Sequence, residues 1–260
     1  MPLTSSAFAG RKITVIFAIF LFSAPLAGAG ESELVKQAKK MLIAYPRDTQ
    51  VMNKAAQILY KEGLHDEAVM VWRETLKIKP TMAEPHYFIG LAHFDRVQND
   101  EAVTEFQKAI MLNPNYAEAH YQLGTTYHEL KDMDGAIREY REATRINPYL
   151  LEVHDSLGRV LLDTGRTDEA IMAFRAEIRL QPNVAETYFN LGGALKDKQD
   201  YDDAIQALET FIRYLPARDS EEEIAQANQM IADIRKKKAA KAESEEETSS
   251  WPTLGGLSKR

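Results

Sequence analysis

The chain contains 260 residues, of which 45% are hydrophobic and 27% are charged, with a formal net charge of −7 at pH 7 and no cysteine. The negative charge argues against binding to nucleic acid or to an anionic membrane surface, because both repel it. The absence of cysteine excludes disulfide bonds and thiol chemistry. The composition is otherwise that of a globular protein, long enough for one large domain or an array of repeats.

The first 29 residues have the pattern of a secretory signal peptide. Arg11 and Lys12 precede a continuous apolar run over residues 13–24, and Ala27 and Ala29 supply the small residues needed for cleavage. The run is shorter than the roughly 20 apolar residues that span a bilayer. We therefore expect cleavage after Ala29 and export, with the bacterial periplasm as the destination. An uncleaved anchor helix and release outside the cell are the alternatives.

Residues 31–48 predict one amphipathic helix, and from its end onward the sequence repeats every 34 residues. Six prolines mark the period: Pro46, Pro80, Pro114, Pro148, Pro182 and Pro216. With each Pro in the thirty-second position, the repeats comprise residues 49–82, 83–116, 117–150, 151–184 and 185–218. Apolar residues recur at spacings of three and four, which predicts two helices in each repeat and no strand.

Small and large residues occupy fixed positions in every repeat. The middle repeat has Gly124 in its first helix, with Ala136 and Tyr140 in its second. Small residues at a helix crossing let the two axes approach, and the large residue fills the space that remains. An Asp also opens each second helix, from Asp66 to Asp202. We expect these carboxylates to cap backbone N–H groups and to favour the helix dipole.

A 34-residue period with Leu-Gly, Ala-x3-Tyr or Phe, and a closing Pro resembles the tetratricopeptide repeat (TPR). The resemblance covers about two-thirds of the chain in five consecutive copies. It implies an all-α fold, a right-handed superhelical solenoid of antiparallel helix pairs. Residues 31–48 would then form an N-terminal half-repeat, and residues 219–241 a capping helix with a polar outer face.

The last stretch, residues 242–260, is polar and rich in blocks of charge, so we expect it to be disordered. It contains the segment WPTLGGL at residues 251–257. This segment is either a docking peptide or part of an unconstrained tail, since short motifs of this kind are weak evidence.

Three histidines, His86, His120 and His154, occupy the same position in successive repeats. Packed helices lie roughly 8–10 Å apart, whereas Zn–N bonds are about 2.0–2.1 Å long, so one metal ion cannot bind all three. We expect them to pack between helices, and we predict no metal and no cofactor. The sequence has no nucleotide-binding, metalloprotease or serine hydrolase motif, and we predict that the protein is not an enzyme.

The resemblance also implies that first helices line a concave groove, chiefly through their second, fifth, ninth and twelfth positions. Aromatic side chains that the fold does not need indicate a binding surface there, although packing between first helices is the alternative. The positions of the chaperone-tail clamp hold Asn53 and Gln57, so that clamp is not expected. The candidate partner-binding residues are Tyr87, Leu91, Phe94, Tyr121, Thr125, His128, Asp155, Arg159, Phe189 and Asn190.

Glu177 departs from the pattern, because it stands where the repeat requires a small residue near a helix junction. An unpaired charge at such a junction is costly. We therefore predict that Glu177 is paired or reaches solvent, and that the joint between the fourth and fifth repeats is looser.

Together these features predict a non-enzymatic adaptor of the bacterial cell envelope that binds a peptide or protein partner in its concave groove. The alternative is a membrane-tethered or self-associating scaffold that acts through its ends and its C-terminal tail. We expect no nucleic-acid partner and no membrane insertion after signal cleavage. The sequence leaves the oligomeric state and the identity of the partner open.

Overall fold

The structure is a computed structural model that describes residues 31–216 and 220–249. These residues form twelve α-helices and no strand, which confirms the all-α prediction. The predicted signal peptide and the WPTLGGL segment lie outside the described residues. None of the described helices is both long enough and apolar enough to cross a membrane.

One helix precedes five helix pairs, and one long helix follows them. The first is α1 (Glu33–Ala44). The pairs are α2 (Thr49–Lys61) with α3 (His65–Ile78), α4 (Ala83–Phe94) with α5 (Asn99–Leu112), α6 (Ala117–Glu129) with α7 (Met133–Ile146), α8 (Val153–Asp163) with α9 (Thr167–Leu180), and α10 (Ala185–Asp197) with α11 (Tyr201–Tyr214). The last is α12 (Glu221–Ser249). Each pair lies within one 34-residue repeat.

Glycine and aromatic residues meet where the two helices of a repeat cross, as predicted. A Cβ atom added at Gly124 would lie 2.7 Å from Cδ1 of Tyr140, and one at Gly158 would lie 2.6 Å from Cε1 of Phe174. Both aromatic side chains are buried. The ring therefore occupies the space that the missing side chain leaves, and the packing roles of Gly124 and Tyr140 are confirmed.

The chain divides into two compact units, Met1–Asn147 (unit 1) and Pro148–Arg260 (unit 2). The division falls three residues before the end of the third repeat. The sequence instead predicts a looser joint between the fourth and fifth repeats. Both of these repeats belong to unit 2, and α9 of the fourth packs against α10 of the fifth. That prediction placed the weakness at Glu177, whose side chain forms bonds described below.

The aspartates of the second helices do not act as the predicted caps. Asp66, Asp168 and Asp202 are each the second residue of their helix, and the preceding N-cap positions belong to other residues. An N-cap side chain must lie outside the first turn to reach the free N–H groups. The three aspartates instead pair with basic side chains of the following repeat or of α12: Arg96 at 2.5 Å, Lys198 at 2.9 Å, and Lys238.

The last helix is longer than the sequence predicts. The predicted capping helix ends at residue 241, whereas α12 continues to Ser249. The expectation of disorder is therefore wrong for residues 242–249. The stretch that continues the helix, AESEEETS at residues 242–249, consists largely of Ala and Glu and contains neither Gly nor Pro. These residues have high helix propensity, so the helix has no local reason to stop.

Glu177 is buried, with only 1% of its surface exposed. Its Oε1 atom accepts hydrogen bonds from the backbone N–H of Glu152 (3.1 Å) and from the amide of Gln181 (3.0 Å). Its Oε2 atom has no hydrogen-bond partner among the described residues. Glu177 is thus paired, as predicted, but with a backbone amide and a side-chain amide rather than with a cation or with solvent.

The helix that Glu177 contacts begins later in its repeat than its counterparts do. Helices α4 and α6 begin at buried alanines, Ala83 and Ala117, whereas the equivalent residue before α8 is Leu151, which is 50% exposed. Glu152 adopts a left-handed backbone conformation with φ 68°, and α8 begins after it. The helix therefore lacks the first two residues of its counterparts, and the Glu177 carboxylate binds the N–H group of Glu152 at that end.

Candidate protein-binding surface

In unit 1 the predicted groove residues lie on α4 and α6, two first helices that contact each other. Tyr87 and Tyr121 are partly exposed. The ring centroid of Tyr87 lies 6.0 Å from that of Phe106, and that of Tyr121 lies 5.8 Å from that of Tyr140. Each tyrosine therefore covers the buried aromatic residue of its own repeat. Packing accounts for part of each ring, and the rest is open to solvent.

Leu91 and Phe94 behave in the same way. Both are partly buried and pack against the core cluster that contains Phe106 and Leu123. The side chains that the sequence assigns to binding thus form the outer layer of the core of unit 1. A surface of this kind has ordered aromatic and aliphatic groups that need no large rearrangement to receive a partner.

Two further tyrosines extend this surface. The ring of Tyr116 lies 5.0 Å from that of Tyr87, and the hydroxyl of Tyr60 donates a hydrogen bond to the carboxylate of Asp95. Burial, together with the charge of Glu118 and the neighbouring Tyr121, raises the pKa of Tyr87 to about 12. Its hydroxyl therefore stays protonated at physiological pH and remains a hydrogen-bond donor.

Sequence reasoning missed both of these tyrosines as candidates. Tyr60 occupies the twelfth position of its repeat, a groove position, so the signal was present. Tyr116 lies in the loop before α6 and has no signal in the repeat pattern, because only the packed structure brings it to Tyr87.

Thr125 and His128 lie on α6 beside these aromatics. Thr125 accepts a hydrogen bond from the hydroxyl of Tyr140 (3.2 Å) and donates one to the carbonyl of Tyr121 (3.1 Å). Its hydroxyl thus supports a buried tyrosine. His128 is partly exposed near the end of the same helix.

In unit 2 the predicted residues lie on α8 and α10, which also contact each other. The side-chain amide of Asn190 donates a hydrogen bond to Asp155 at 3.3 Å, and this bond joins the two first helices. Burial raises the pKa of Asp155, although the bond from Asn190 and the charge of Arg159 oppose the rise. Arg159 is exposed, and Phe189 packs against Phe211 with ring centroids 5.0 Å apart.

The structure thus groups the ten candidates into two sets. The set in unit 1 is mainly aromatic and aliphatic, and the set in unit 2 is mainly polar. Their assignment to partner binding remains a prediction.

The three equivalent histidines form structural hydrogen bonds, and that of His86 joins its Nδ1 atom to the carboxylate of Glu105 at 2.6 Å. His120 lies 2.7 Å from the carboxylate of Glu139 and 3.2 Å from the carbonyl oxygen of Pro114. His154 repeats the second of these bonds with the carbonyl of Pro148, at 3.2 Å. These bonds tie a first helix to the turn before it, so His120 and His154 act in packing. Among residues 31–216 and 220–249, no group of three or more potential ligands is placed to hold a metal ion.

Family comparisons agree with this architecture. Models of the TPR repeat match residues 90–131, and models of the tetratricopeptide repeat match residues 117–149 and 156–227. Together the matches span more than half of the chain. The chain belongs to the tetratricopeptide repeat family.

Solved structures of other TPR proteins share the fold. YrrB, described as a TPR protein with an unusual peptide-binding site, aligns with a TM-score of 0.61 at 20% identity, over 78% of this chain and 99% of its own. MamA aligns with a TM-score of 0.52 at 28% identity, over 57% of this chain and 86% of its own. A MamA double mutant reaches a TM-score of 0.60 at 21% identity, over 66% and 97% of the two chains. No curated protein shows significant sequence similarity to the chain.

Proposed function

We propose that this protein is a non-catalytic adaptor of the bacterial cell envelope that binds a peptide or protein partner in the groove formed by its first helices. Proteins built from tetratricopeptide repeats are protein–protein interaction scaffolds, and this chain has that architecture. The observation that carries the proposal is the layer of partly exposed Tyr87, Leu91, Phe94 and Tyr121 on the contacting helices α4 and α6. Ordered aromatic groups of this type contribute a large share of the energy in protein interfaces.

The polar set of unit 2 supports recognition of a peptide backbone or of polar side chains. The exposed guanidinium of Arg159 and the partly exposed amide of Asn190 are hydrogen-bond donors on adjacent first helices. YrrB, which shares the fold, is described as having a peptide-binding site, and this likeness is consistent with a peptide partner.

We also propose that the protein reaches the periplasm through cleavage of its first 29 residues. The support is the basic and apolar pattern of the N-terminus. N-terminal sequencing of the protein purified from its host tests this proposal. A mature chain that begins at Gly30 is the expected result, and a chain that retains the apolar run in the membrane fraction would contradict it.

Capture of partners by the mature chain, followed by mass spectrometry, tests the groove. A charge reversal at the exposed Arg159, Arg159→Glu, should weaken capture. Arg179→Glu makes the same change on the exposed surface of α9, outside the predicted groove, and should leave capture intact. A triple variant, Tyr87→Ala, Tyr121→Ala and Phe189→Ala, should abolish capture once circular dichroism shows that it folds. If both Arg159→Glu and the triple variant retain every partner, the groove proposal fails.

The length of α12 favours a second candidate function, that of a scaffold acting through its C-terminal end. The side chains from Arg235 to Glu246 are all exposed on this helix. Deletion of residues 241–260 separates the two candidates. Loss of partners upon this deletion, with retention in the groove variants, would assign the interaction to the C-terminal end.

A further inference from the structure

A cleft of about 390 Å³ lies in unit 2 between α10 and α12. Its lining contains apolar side chains, three lysines and one aspartate. The residues that line it are Lys196, Met230, Asp233, Ile234, Lys236, Lys237 and Ala240.

The basic run of α12 is divided between two faces of the helix. Arg235 pairs with Glu209 of α11 at 3.3 Å, and Lys238 pairs with Asp202 of the same helix. Lys241 continues this face, with its Nζ atom 5.9 Å from the ring centroid of Tyr201. These residues recur at a spacing of three, so they share the side of the helix that faces α11, and their exposed pairs contribute little to stability.

Lys236 and Lys237 lie on the other side and line the cleft. Neither forms an ion pair with any described residue. The third cation, Lys196, forms an exposed ion pair with Asp197, with its Nζ atom 3.8 Å from Oδ1, a distance too long for a hydrogen bond. The only carboxylate of the lining is Asp233, which already accepts a hydrogen bond from Gln229 at 3.1 Å. The cleft therefore carries a net positive charge.

Two apolar side chains complete the site. Ile234 lines the cleft from within the core, where it is fully buried, and Met230 is partly exposed beside it. Methionine is flexible and polarisable, and it adapts to apolar groups of different shape. The combination of a cationic rim with an apolar floor suits a peptide in which carboxylates alternate with apolar side chains.

We propose that this cleft binds an acidic segment of a protein partner, with Lys196, Lys236 and Lys237 contacting its carboxylates and Met230 receiving a neighbouring apolar side chain. The inference rests on the proposed function, because Lys196 occupies a groove position, the twelfth of its first helix. The chain as a whole carries a net charge of −7. Its field opposes extended polyanions such as nucleic acid, whereas a short acidic segment can bind a local cationic cleft.

Fluorescence anisotropy with the mature chain tests the cleft directly. The probe is a fluorescein-labelled peptide of alternating Glu and Leu, and its control is the same peptide with Gln in place of Glu. The acidic peptide should bind more tightly, and increasing salt should weaken its binding, because charge attraction between exposed groups is screened. Failure of the acidic peptide to bind, or equal binding of both peptides, would overturn the proposal.

Two double variants locate the binding. Lys236→Gln with Lys237→Gln should weaken binding of the acidic peptide by about tenfold. Arg235→Gln with Lys238→Gln removes the same charge from the same turns of α12 but from the face toward α11, and it should change binding by less than about twofold. Equal losses in the two variants would show that only the net charge of the helix matters, and would refute a cleft.

The outcomes also distinguish this inference from the proposed function. If the groove variants lose their natural partners while the Lys236 and Lys237 variant still binds the acidic peptide normally, only the cleft proposal fails. If the lysines are required for the acidic peptide but the groove variants retain every partner, the groove proposal fails. Analytical ultracentrifugation tests a further alternative, in which the cleft binds the acidic segment 243–246 of a second copy of this chain. A mass that increases with concentration, and no longer does so in the Lys236 and Lys237 variant, would support that alternative and overturn the proposal.

Discussion

Replacing either of two adjacent glycines in α10 by alanine should have opposite effects on the free energy of unfolding. A Cβ atom added at Gly192 would lie 2.8 Å from Cγ and 2.9 Å from Cδ2 of Leu208. Leu208 is fully buried. A Cβ atom added at Gly193 would meet no described atom within 4 Å. The two positions share one helix and the same chemical change, so each is the control for the other.

The expected magnitudes follow from two effects. Alanine is favoured over glycine in a helix interior by about 0.5–1 kcal/mol, and this gain applies at both positions. Overpacking of a buried site costs about 1–3 kcal/mol, and this loss applies only at Gly192. The difference is a net loss of about 0–2.5 kcal/mol, and we therefore expect Gly192→Ala to destabilise the protein by about 1 kcal/mol, the middle of that range. Gly193→Ala should stabilise it by about 0.5–1 kcal/mol, which corresponds to about 1–4 °C in Tm.

Urea unfolding followed by far-ultraviolet circular dichroism measures both variants. A Gly192→Ala protein as stable as the wild type would refute the packing argument, and a destabilised Gly193→Ala protein would refute the open environment of that position. Gly193 also occupies the ninth position of its repeat, which the family resemblance places in the groove. Weaker partner capture by the more stable Gly193→Ala variant would separate binding from folding.

Two further predictions concern buried polar groups. Burial alone would lower the pKa of His120, but the hydrogen bond to Glu139 raises this pKa above its ordinary value. The interaction therefore stabilises the folded protein fully below about pH 6.5, the ordinary pKa of histidine. The stabilisation is lost as the pH rises through the raised pKa. Stability measured across this window should fall with pH in the wild type and fall less in His120→Gln; parallel curves would contradict the assignment. Glu177→Ala should lower the free energy of unfolding by about 1–3 kcal/mol, because the N–H of Glu152 loses its acceptor. Glu177→Gln keeps an oxygen acceptor and should lose less, whereas a higher Tm for Glu177→Ala would show that the buried charge costs more than its bonds return.

Much of the fold could be predicted from the sequence because its signals are periodic. Three features recur in each repeat: a Pro at its end, a small residue in the first helix such as Gly124 or Gly158, and a large residue four positions after the Ala of the second helix. This recurrence specifies the helix pairs and their crossings. The meeting of Gly158 with Phe174 in the structure follows from that pattern. The candidate binding residues were found only through the resemblance, which supplied the groove positions.

The sequence was less informative wherever a side chain could satisfy more than one role. Asp66, at the start of a helix, reads equally well as a cap or as the partner of a distant cation, and only the approach of Arg96 decides between them. Tyr87 likewise reads as a binding residue or as a packing residue, and its contact with Phe106 shows that part of its ring belongs to the core.

By itself, then, the sequence determined the class of fold, the phase of the repeats and the residues at the helix crossings, because these depend on spacing along the chain. Tertiary structure alone decided that Arg235 faces α11 while Lys236 lines a cleft, and that Glu177 binds the backbone of Glu152. Neighbouring residues of one helix point in different directions, so their roles depend on which elements pack against each face. That arrangement is a property of the packed protein and has no signature in residue spacing.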